Sequence, residues 1–568
     1  MFIMRGIGAS DGYGIGKVVI KKELSTPKKA YIEDVNAEIL KLENAFAAAE
    51  KDLENEYEQK VEALGKEHGE IFKAHIAMLQ DPELKKTICD LIEKEKVTST
   101  YSTQVAIDQF VAIFQSMDNE YFRERALDIK DIGVRILKKL LNISDSGFEG
   151  TGLVIVAKDL TPSDTAKIDK KQVEGFITAI GGSTSHSAII ARTLGIPAIM
   201  GVNGIEAAVK DGDIIIVDGF TGEVFINPNK ETLHEYELKK VEYEAKKKEL
   251  LIYKDEPSVT KDGHHIEIGA NIASPDDVEP ALENGAEGVG LFRSEFIFMN
   301  RTEAPNEAEQ FIAYKAVLEG MGSRPVVIRT LDAGGDKHIP YLNIPEEMNP
   351  FLGYRAIRYC LVETDLFKVQ LRALMRASVF GNLKIMFPMI SSAEEIRASK
   401  KLLDEVKAEL DAERIAYDPN VEVGIMIEIP AAAVISDILA KEVDFFSIGT
   451  NDLIQYTTAV DRMNENIKAL YTPYHPAVLR LVHTTIKNGN EGGIWVGMCG
   501  SVAGNPLIFP ILIAMGLHEF SMSPGQILKS RKIASLYTLD YLNEVLAHVL
   551  SLGTSEEVES YLKATFTH

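Results

Sequence analysis

The sequence is poor in cysteine and has no long apolar run. Its 568 residues include only three cysteines, Cys89, Cys360 and Cys499, too few for a disulfide framework in a chain of this length. This usage predicts a reducing compartment, and we expect a cytoplasmic protein. The first ten residues, MFIMRGIGAS, have too short an apolar run for a signal peptide. No stretch approaches the roughly 18–20 apolar residues that span a bilayer, so we expect no membrane insertion.

Basic residues are also in deficit. The 61 lysines and arginines face 85 aspartates and glutamates, which gives a formal net charge of -24. Because nucleic-acid binding needs a basic surface, we expect no nucleic-acid partner. An acidic surface suits a basic protein partner, although most acidic surfaces are simply solvated. The content of 45% hydrophobic and 26% charged residues is that of a globular protein, and the length predicts about two to four domains.

The first part of the chain changes pattern twice. Apolar residues recur at intervals of three and four within residues 26–145, which predicts a helical bundle. Residues 1–25 and 146–228 carry short strand patterns instead, such as VIVA and VEGFITAI. We therefore expect an α/β domain with the bundle inserted into it. A lysine- and glutamate-rich helix within residues 229–258 is interpreted as a solvated linker.

Residues 259–568 alternate strand and helix patterns. Eight strands separated mostly by helical stretches predict a C-terminal (β/α)8 barrel of the TIM type, and thus a multidomain α/β protein. The predicted strands are 266–272, 288–295, 326–332, 384–390, 423–429, 445–452, 494–500 and 519–524.

Polar residues cluster where such a barrel would place an active site. Barrel enzymes build their sites at the carboxyl ends of the strands, and five of the predicted strands end in charged, amide or thiol side chains. These residues are Arg293, Glu295, Arg329, Asp332, Glu428, Asn451, Asp452 and Cys499. A merely structural barrel would not need so many polar strand ends, so we expect a catalytic site there.

A glycine-rich turn precedes His186 in the α/β domain. The string GGSTSH at residues 181–186 follows a strand pattern and precedes a helical pattern. Its glycines allow a tight turn, and Ser183 or Thr184 can cap the helix. His186 would then lie in the first helical turn, where free N–H groups and the helix dipole favour an anion. A lone histidine at a helix start is usually structural, but the whole string favours a nucleophile that carries a phosphoryl group.

Seven segments in register resemble the phosphoenolpyruvate (PEP)-utilising enzymes. They are GGSTSHSAIIAR, GVGLFRSEFIFM, IRTLDAGGDKHIPY, NPFLGYRAIR, GIMIEIPAAA, DFFSIGTNDLIQYTTAVDR and WVGMCG. Their order and the chain length resemble the branch that phosphorylates a carrier protein in bacterial sugar uptake, over essentially the whole chain. The resemblance implies a phosphohistidine domain, an inserted helical subdomain that binds the phosphocarrier protein HPr, and a barrel that binds PEP and forms a homodimer.

The resemblance also implies site residues. His186 Nε2 takes the phosphoryl group from PEP and passes it to HPr, and Cys499 donates the proton that converts the enolate into pyruvate. Glu428 and Asp452 bind Mg²⁺, for which Mn²⁺ could substitute. The predicted substrate contacts are Arg293, Arg329, Lys337, Arg355, Asn451, Asp452 and Arg462, and the predicted HPr-binding face consists of Glu67, Glu70, His75, Asp81 and Glu83.

Several alternatives accompany these assignments. The carboxylates of Glu428 and Asp452 could instead be salt-bridge partners of Arg293 and Arg329, and Cys499 could be an inert buried thiol, as we expect Cys89 and Cys360 to be. An ATP-dependent dikinase or synthase would need a further nucleotide-binding module, for which the chain has no room and no G-x-x-x-x-G-K-[ST] loop. A regulatory protein that merely binds PEP would need neither His186 nor Cys499.

Overall fold

The structure, a computed structural model, divides into two compact units, Met1–Lys246 and Lys247–His568. It describes residues 2–566 apart from gaps at 22–23, 25, 65–69, 116–119, 144–149, 161–163, 165–167, 169–170, 183–186, 189–190, 193–194, 300, 336, 338 and 465, and it describes only the backbone at 56, 58–64, 70–74, 115, 120–125 and 127.

The first unit contains an eight-stranded sheet of order β1-β8-β7-β3-β4-β5-β6-β2. Its central strand β4 is buried on both faces, because Val154 and Val156 pack into one apolar cluster and Ile155 and Ala157 into another. A strand covered on both sides needs an unbroken apolar sequence, which LVIVA provides. The strands are β1 Phe2–Arg5, β2 Ile7–Ser10, β3 Tyr13–Ile20, β4 Leu153–Ala157, β5 Val173–Thr178, β6 Ala198–Met200, β7 Ile214–Asp218 and β8 Glu223–Ile226.

A bundle of helices is inserted between β3 and β4, as the periodicity predicted. Leu42, Phe46, Ala49 and Leu53 recur at intervals of three and four on α1 and enter one apolar core. The helices are α1 Val35–Leu64, α2 Glu70–Leu79, α3 Pro82–Glu95, α4 Ser99–Gln115 and α5 Glu120–Leu140. The unit continues with α6 Ile205–Ala208 and the charged helix α7 Lys230–Leu250, within which the boundary between the units falls.

The second unit is a closed parallel barrel of eight strands, β9 to β16, which confirms the predicted fold class. The strands are β9 Glu267–Ile272, β10 Val289–Arg293, β11 Pro325–Arg329, β12 Asn382–Phe387, β13 Glu422–Ile427, β14 Phe445–Ile448, β15 Trp495–Met498 and β16 Glu519–Met522. The helices are α8 Val278–Glu283, α9 Glu295–Phe298, α10 Glu307–Met321, α11 Ile357–Cys360, α12 Thr364–Ala377, α13 Ala393–Glu413, α14 Pro430–Val434, α15 Ser436–Leu439, α16 Thr450–Thr458, α17 Pro476–Glu491, α18 Phe509–Ala514, α19 Pro524–Leu536, α20 Leu539–Val549 and α21 Ser555–Thr565.

Several strands end earlier than the sequence predicted. The predicted strand 445–452 stops at Ile448, and both Asn451 and Asp452 belong to the first turn of α16. Similarly, Glu295 is the first residue of α9 rather than the last residue of a strand. The chain turns into a helix immediately beyond the barrel rim, so these polar side chains are held by short helices. Among the described helices, none is both long and apolar enough to cross a bilayer.

Candidate active site

The carboxyl end of the barrel brings the predicted polar residues to one rim. Arg293 and Arg329 are the last residues of β10 and β11 and are neighbours in register. Glu428 directly follows β13, and Cys499 directly follows β15. Asp452 lies on α16, which begins just beyond β14. Because parallel strands end on the same side, these residues share the face on which barrel enzymes bind substrates.

Asp332, on the loop after β11, is the centre of a buried ionic network. Its Oδ2 lies 2.6 Å from Lys337 Nζ and 3.1 Å from Arg329 Nη1, and its Oδ1 accepts a hydrogen bond from Arg355 Nη2 at 2.9 Å. Burial alone would raise the pKa of the Asp332 carboxyl, but the three cations hold it well below its usual range. Asp332 is therefore ionised and fixes three basic side chains.

Glu295 adds a second carboxylate to this network. Its Oε1 accepts a hydrogen bond from Arg329 Nη2 at 2.7 Å and lies 2.9 Å from Lys337 Nζ. Glu295 is fully buried, yet Arg329 and Lys337 outweigh the effect of burial and lower its pKa. The Nε of Arg329 has no hydrogen-bond partner within the described part of the chain. A buried guanidinium N–H without a partner is suited to a phosphate oxygen.

Arg355 connects the network to Asp452. Its Nη1 lies 3.4 Å from Asp452 Oδ1, and Arg462 Nη1 lies 3.6 Å from the other oxygen of the same carboxylate. Burial opposes the charge of Arg355, but Asp332 and Asp452 raise its pKa above the usual value. The network thus contains five of the seven predicted substrate contacts, Arg329, Lys337, Arg355, Asp452 and Arg462.

Glu428 is held differently from the other carboxylates. Its Oε1 accepts a hydrogen bond of 2.6 Å from the backbone N–H of Met389, whose φ of 56° lies in the left-handed region. Among the described residues Glu428 forms no ion pair, whereas Arg329 pairs with Glu295 and Asp332. Burial and the charges of Asp452 and Asp332 raise the pKa of Glu428 to about 8. A buried carboxylate without a cationic partner fits a metal-binding role better than the salt bridge to Arg329.

Cys499 lies inside the barrel. Its side chain belongs to an apolar cluster with Leu291, Val327 and Met426, and only 3% of the residue is exposed. Burial raises the pKa of the thiol to about 11. The thiol therefore keeps its proton at neutral pH, as a proton donor must. Cys360 is also buried, and burial raises the pKa of its thiol, but it follows no strand of the barrel.

Two predicted substrate residues lie outside the network. Arg293 lines a separate cavity of about 190 Å³ at the same end of the barrel, together with Asn271 and Asp277. Asn451 accepts a hydrogen bond from Ser501 Oγ at 2.8 Å through its Oδ1. Neither contact involves a substrate, so the roles of Arg293 and Asn451 in substrate binding stay predictions.

Comparison with known proteins identifies the family. The C-terminal part, residues 247–538, matches the PEP-utilising enzyme, PEP-binding domain, and residues 5–125 and 149–222 match the N-terminal and mobile domains of the same enzymes. The chain belongs to the PEP-utilising enzyme family. This confirms the resemblance and the prediction that the protein is an enzyme.

Relatives within the PEP-utilising enzyme family match over nearly the full length. A phosphoenolpyruvate-protein phosphotransferase of Bacillus sp. (strain S) is 52% identical over 99% of this chain and 98% of its own. The protein of the same name from Bacillus subtilis (strain 168) is 48% identical over 99% of both chains. A solution structure of an Enzyme I protein is 40% identical and covers 42% of this chain and 99% of its own, with a TM-score of 0.37.

The nucleophile predicted for this PEP-utilising enzyme, His186, lies outside the described residues, as do residues 183–185. It follows β5 in sequence and falls within the matched mobile domain, residues 149–222. The next residue, Ser187, donates a hydrogen bond from Oγ to the carbonyl oxygen of Leu160 at 3.1 Å. The role of His186 therefore stays a prediction.

The predicted HPr-binding face needs one correction. His75 is 1% exposed, with Nε2 3.3 Å from Asp128 Oδ1 and Nδ1 3.7 Å from Asp131 Oδ2, because it lies on the side of α2 that faces α5. It cannot contribute to an exposed face. Asp81 and Glu83 are exposed at the start of α3, and Asp81 caps that helix by accepting a hydrogen bond from the backbone N–H of Glu83. Glu67 lies outside the described residues, and only the backbone of Glu70 is described.

Sequence reasoning missed the organising residues of the site. Glu295 and Asp332 had been noted only as polar strand ends, and Met389 had not been noticed. The motif that contains Asp332, LDAGGDK, did carry a signal, since an acidic residue five positions before Lys337 on one loop can pair with it. Nothing in the sequence indicates the left-handed backbone of Met389.

Proposed function

We propose that this chain is a PEP–protein phosphotransferase that transfers the phosphoryl group of PEP to His186 and then to the carrier protein HPr, as the first step of sugar uptake. The observation that carries the proposal is the buried ionic network around Asp332 at the barrel rim. Its arginine and lysine groups are suited to bind a phosphorylated carboxylic acid. Nearly full-length identity to proteins named for this activity supports it.

The substrate would bind through its two anionic groups. We assign the phosphate to Arg329 and Arg293, with Lys337 and Arg355 contributing further positive charge. Arg462 and the amide nitrogen of Asn451 would hold the phosphate or the carboxylate. Asp332 and Glu295 contribute indirectly, because they fix the arginine and lysine groups before the substrate arrives.

Glu428 and Asp452 would bind Mg²⁺ or Mn²⁺. Two protein carboxylates, completed by substrate oxygens and water, are the usual provision for this ion. The described residues include no group of three or more acidic, histidine or cysteine side chains that could hold a metal alone, which is consistent with a site that PEP completes. When bound, the metal would stabilise negative charge on the oxygens of the substrate.

The residues of this chain would perform the transfer in two steps. His186 Nε2 attacks the phosphorus of PEP, the bond between phosphorus and the enol oxygen breaks, and the enolate is left in the barrel. The Cys499 thiol then donates its proton to the terminal carbon of the enolate, which becomes pyruvate. The buried thiol suits this role because its raised pKa, about 11, keeps it protonated until a strong carbon base is formed.

For the protein partner, we propose that HPr binds to the helical bundle. Asp81 and Glu83 remain exposed acidic candidates at the start of α3, and Glu67 and Glu70 belong to the same proposed face. We also propose a homodimer formed through the barrel. The exposed apolar side chains Val434 and Ile438, on the consecutive helices α14 and α15, support this arrangement.

The decisive experiment is to map the phosphorylated residue. Incubation with radiolabelled PEP and Mg²⁺ should place one acid-labile label on His186. The His186→Ala variant should take no label, whereas the control variant His234→Ala, changed on the exposed surface of α7, should be labelled like the wild type. Stoichiometric labelling of His186→Ala would contradict the proposal. Omission of HPr should leave the label on the enzyme, and its addition should remove it.

A further inference from the structure

The amino-terminal end of the barrel, opposite the candidate active site, contains a cavity of about 310 Å³. Its lining includes Glu267, Lys384, Glu422, Trp495 and Glu519, which lie at or near the first residues of their strands. The volume is at the lower end of the range for small-molecule sites. The amino-terminal face of such barrels ordinarily serves stability, so polar side chains directed into a cavity there require an explanation.

Among the acidic residues of the cavity, Glu519 has a buried carboxyl oxygen without a hydrogen bond to any residue that the structure describes. It is 6% exposed, and its Oε1 has no hydrogen-bond partner among the described residues. A β-carbon added at Gly290 would lie 2.0 Å from this oxygen, and one added at Gly269 would lie 2.7 Å from it. The sequence thus keeps space open for the carboxyl group inside the barrel, although an unsatisfied buried oxygen destabilises the fold.

A second acid lies beside Glu519. Glu267 on β9 is its direct neighbour in register on the adjacent strand, and both line the cavity. Like charges directly opposite each other on neighbouring strands are unfavourable. Burial raises the pKa of both carboxyl groups, and the charge of Glu267 raises the pKa of Glu519 further. The pair accordingly gains stability from any cation placed between its members.

The one lysine of the cavity is already engaged elsewhere. Lys384 forms an ion pair with Glu422, and Trp495 Nε1 donates a hydrogen bond to the same carboxylate at 2.8 Å. Glu422 is therefore satisfied, and its charge is balanced. Among the described residues, no ion pair reaches Glu519 or Glu267.

We propose that this cavity binds a small organic cation, with a primary ammonium or guanidinium group, between the carboxyl groups of Glu519 and Glu267. The N–H groups of such a cation would satisfy Glu519 Oε1 and separate the two acids. A metal ion fits less well, because the described residues nowhere offer three acidic, histidine or cysteine ligands together. The residues that line the cavity include none of those assigned to the proposed catalytic machinery, and the proposal does not depend on the proposed function.

The chain provides its own reporter for a binding test. Trp495 is the only tryptophan of the protein, and its ring stacks on Phe445 with the ring centroids 4.3 Å apart. Tryptophan fluorescence of the full-length protein therefore comes from a residue that lines this cavity. We would titrate 1,4-diaminobutane and methylguanidinium at constant ionic strength, with tetramethylammonium, which has no N–H group, and succinate as controls, and repeat each titration by calorimetry.

We expect saturable binding of one or both N–H cations and no saturation with either control. Glu519→Gln, which preserves shape and removes the charge, should weaken binding at least about tenfold, and so should Glu267→Gln at the same cavity. Glu279→Gln, on the exposed surface of α8, should bind like the wild type. Circular dichroism should show that all three variants fold, and saturating PEP should not compete with the cation.

The pH dependence gives an independent readout. The ionisable groups that face the pair are Lys384 on β12, Glu422 on β13 and the Cys499 thiol beyond β15. Glu287 and His265 also act on Glu267. Because a cation binds the ionised carboxyls, affinity should rise with pH, and calorimetry in different buffers should show proton release. Equal binding to wild type and Glu519→Gln, saturation by succinate, or the absence of saturation by both N–H cations would each overturn the proposal.

Discussion

The ionic network around Asp332 supports a quantitative prediction. Asp332→Asn keeps the shape of the side chain but removes the charge that Arg329, Lys337 and Arg355 share. Asp332 and Arg355 are each 1% exposed, so water cannot replace the lost charge. Removing one partner from a buried ion pair costs about 3–5 kcal/mol, since it leaves uncompensated charge in a medium of low polarity. Glu295 still neutralises part of this charge, so we expect a loss near the lower end of that range.

The matched control is Glu405→Gln. Glu405 forms an ion pair of 2.7 Å with Lys368 on the outside of the barrel, where the two side chains are 41% and 26% exposed. Pairs of this kind contribute little to stability, because water screens both charges. Both variants carry the same change of charge, so the difference between them isolates the effect of burial.

Urea unfolding, followed by tryptophan fluorescence, would measure both variants. The only tryptophan, Trp495, lies in the barrel, so the signal reports on the second unit alone. The measurement should be made without PEP, because a ligand of the folded state adds stability of its own. Equal losses of stability for Asp332→Asn and Glu405→Gln would show that burial does not strengthen the network around Asp332.

The same network predicts a dependence on pH. The pKa of Asp332 is lowered well below its usual range in the folded protein, so its contribution is fully present above the unfolded value of about 3.9. The contribution is lost as the pH falls through the folded pKa. The stability difference between wild type and Asp332→Asn should therefore persist down to about pH 5 and be lost only in strong acid. Because the charge of Asp332 also raises the pKa of Glu428, the difference should narrow as the pH rises toward 8.

Three further predictions test the proposed function. Cys499→Ala should slow pyruvate formation at least about 100-fold in a coupled assay while PEP still binds, and turnover at the wild-type rate would show that another group delivers the proton. Glu428→Ala should lose Mg²⁺ affinity in the presence of PEP, measured by calorimetry, whereas unchanged affinity would leave Glu428 without a metal role. A fragment of residues 1–250 should exchange phosphoryl groups with phosphorylated HPr yet remain unlabelled by PEP. Direct labelling of this fragment by PEP would show that PEP binds to the first unit and not to the barrel.

The fold was largely predictable because its strands are buried on both faces. In a barrel of parallel strands the apolar run itself indicates the element, and all eight predicted ranges overlap the observed strands. The carboxyl ends of the strands were predicted less accurately. In FFSIGTND, for example, Ile448 ends β14 and the polar residues that follow begin α16. Apolar periodicity cannot indicate where a strand stops if a short helix follows directly.

His75 shows how a surface prediction failed although a signal was present. It lies four residues before Leu79, so the two side chains share one face of α2, and Leu79 belongs to the core of the bundle. That spacing could have placed His75 inside, next to Asp128 and Asp131 of α5. The resemblance had placed His75 on a binding face, but a histidine with two acidic neighbours can be buried.

The position of Glu428 shows what no pattern in the sequence could provide. Its carboxylate is fixed by the backbone N–H of Met389, at a φ of 56° that costs a non-glycine residue about 1 kcal/mol or more. A β-carbon added at Gly449 would lie 2.9 Å from the other oxygen, Glu428 Oε2, so a larger residue at position 449 would collide with the carboxylate. Residues 389, 428 and 449 are distant in sequence and meet only because β12, β13 and β14 are adjacent in the barrel. The sequence indicated the acid, but the closed barrel determines which of its oxygens accepts the backbone hydrogen bond and which remains for the proposed metal ion.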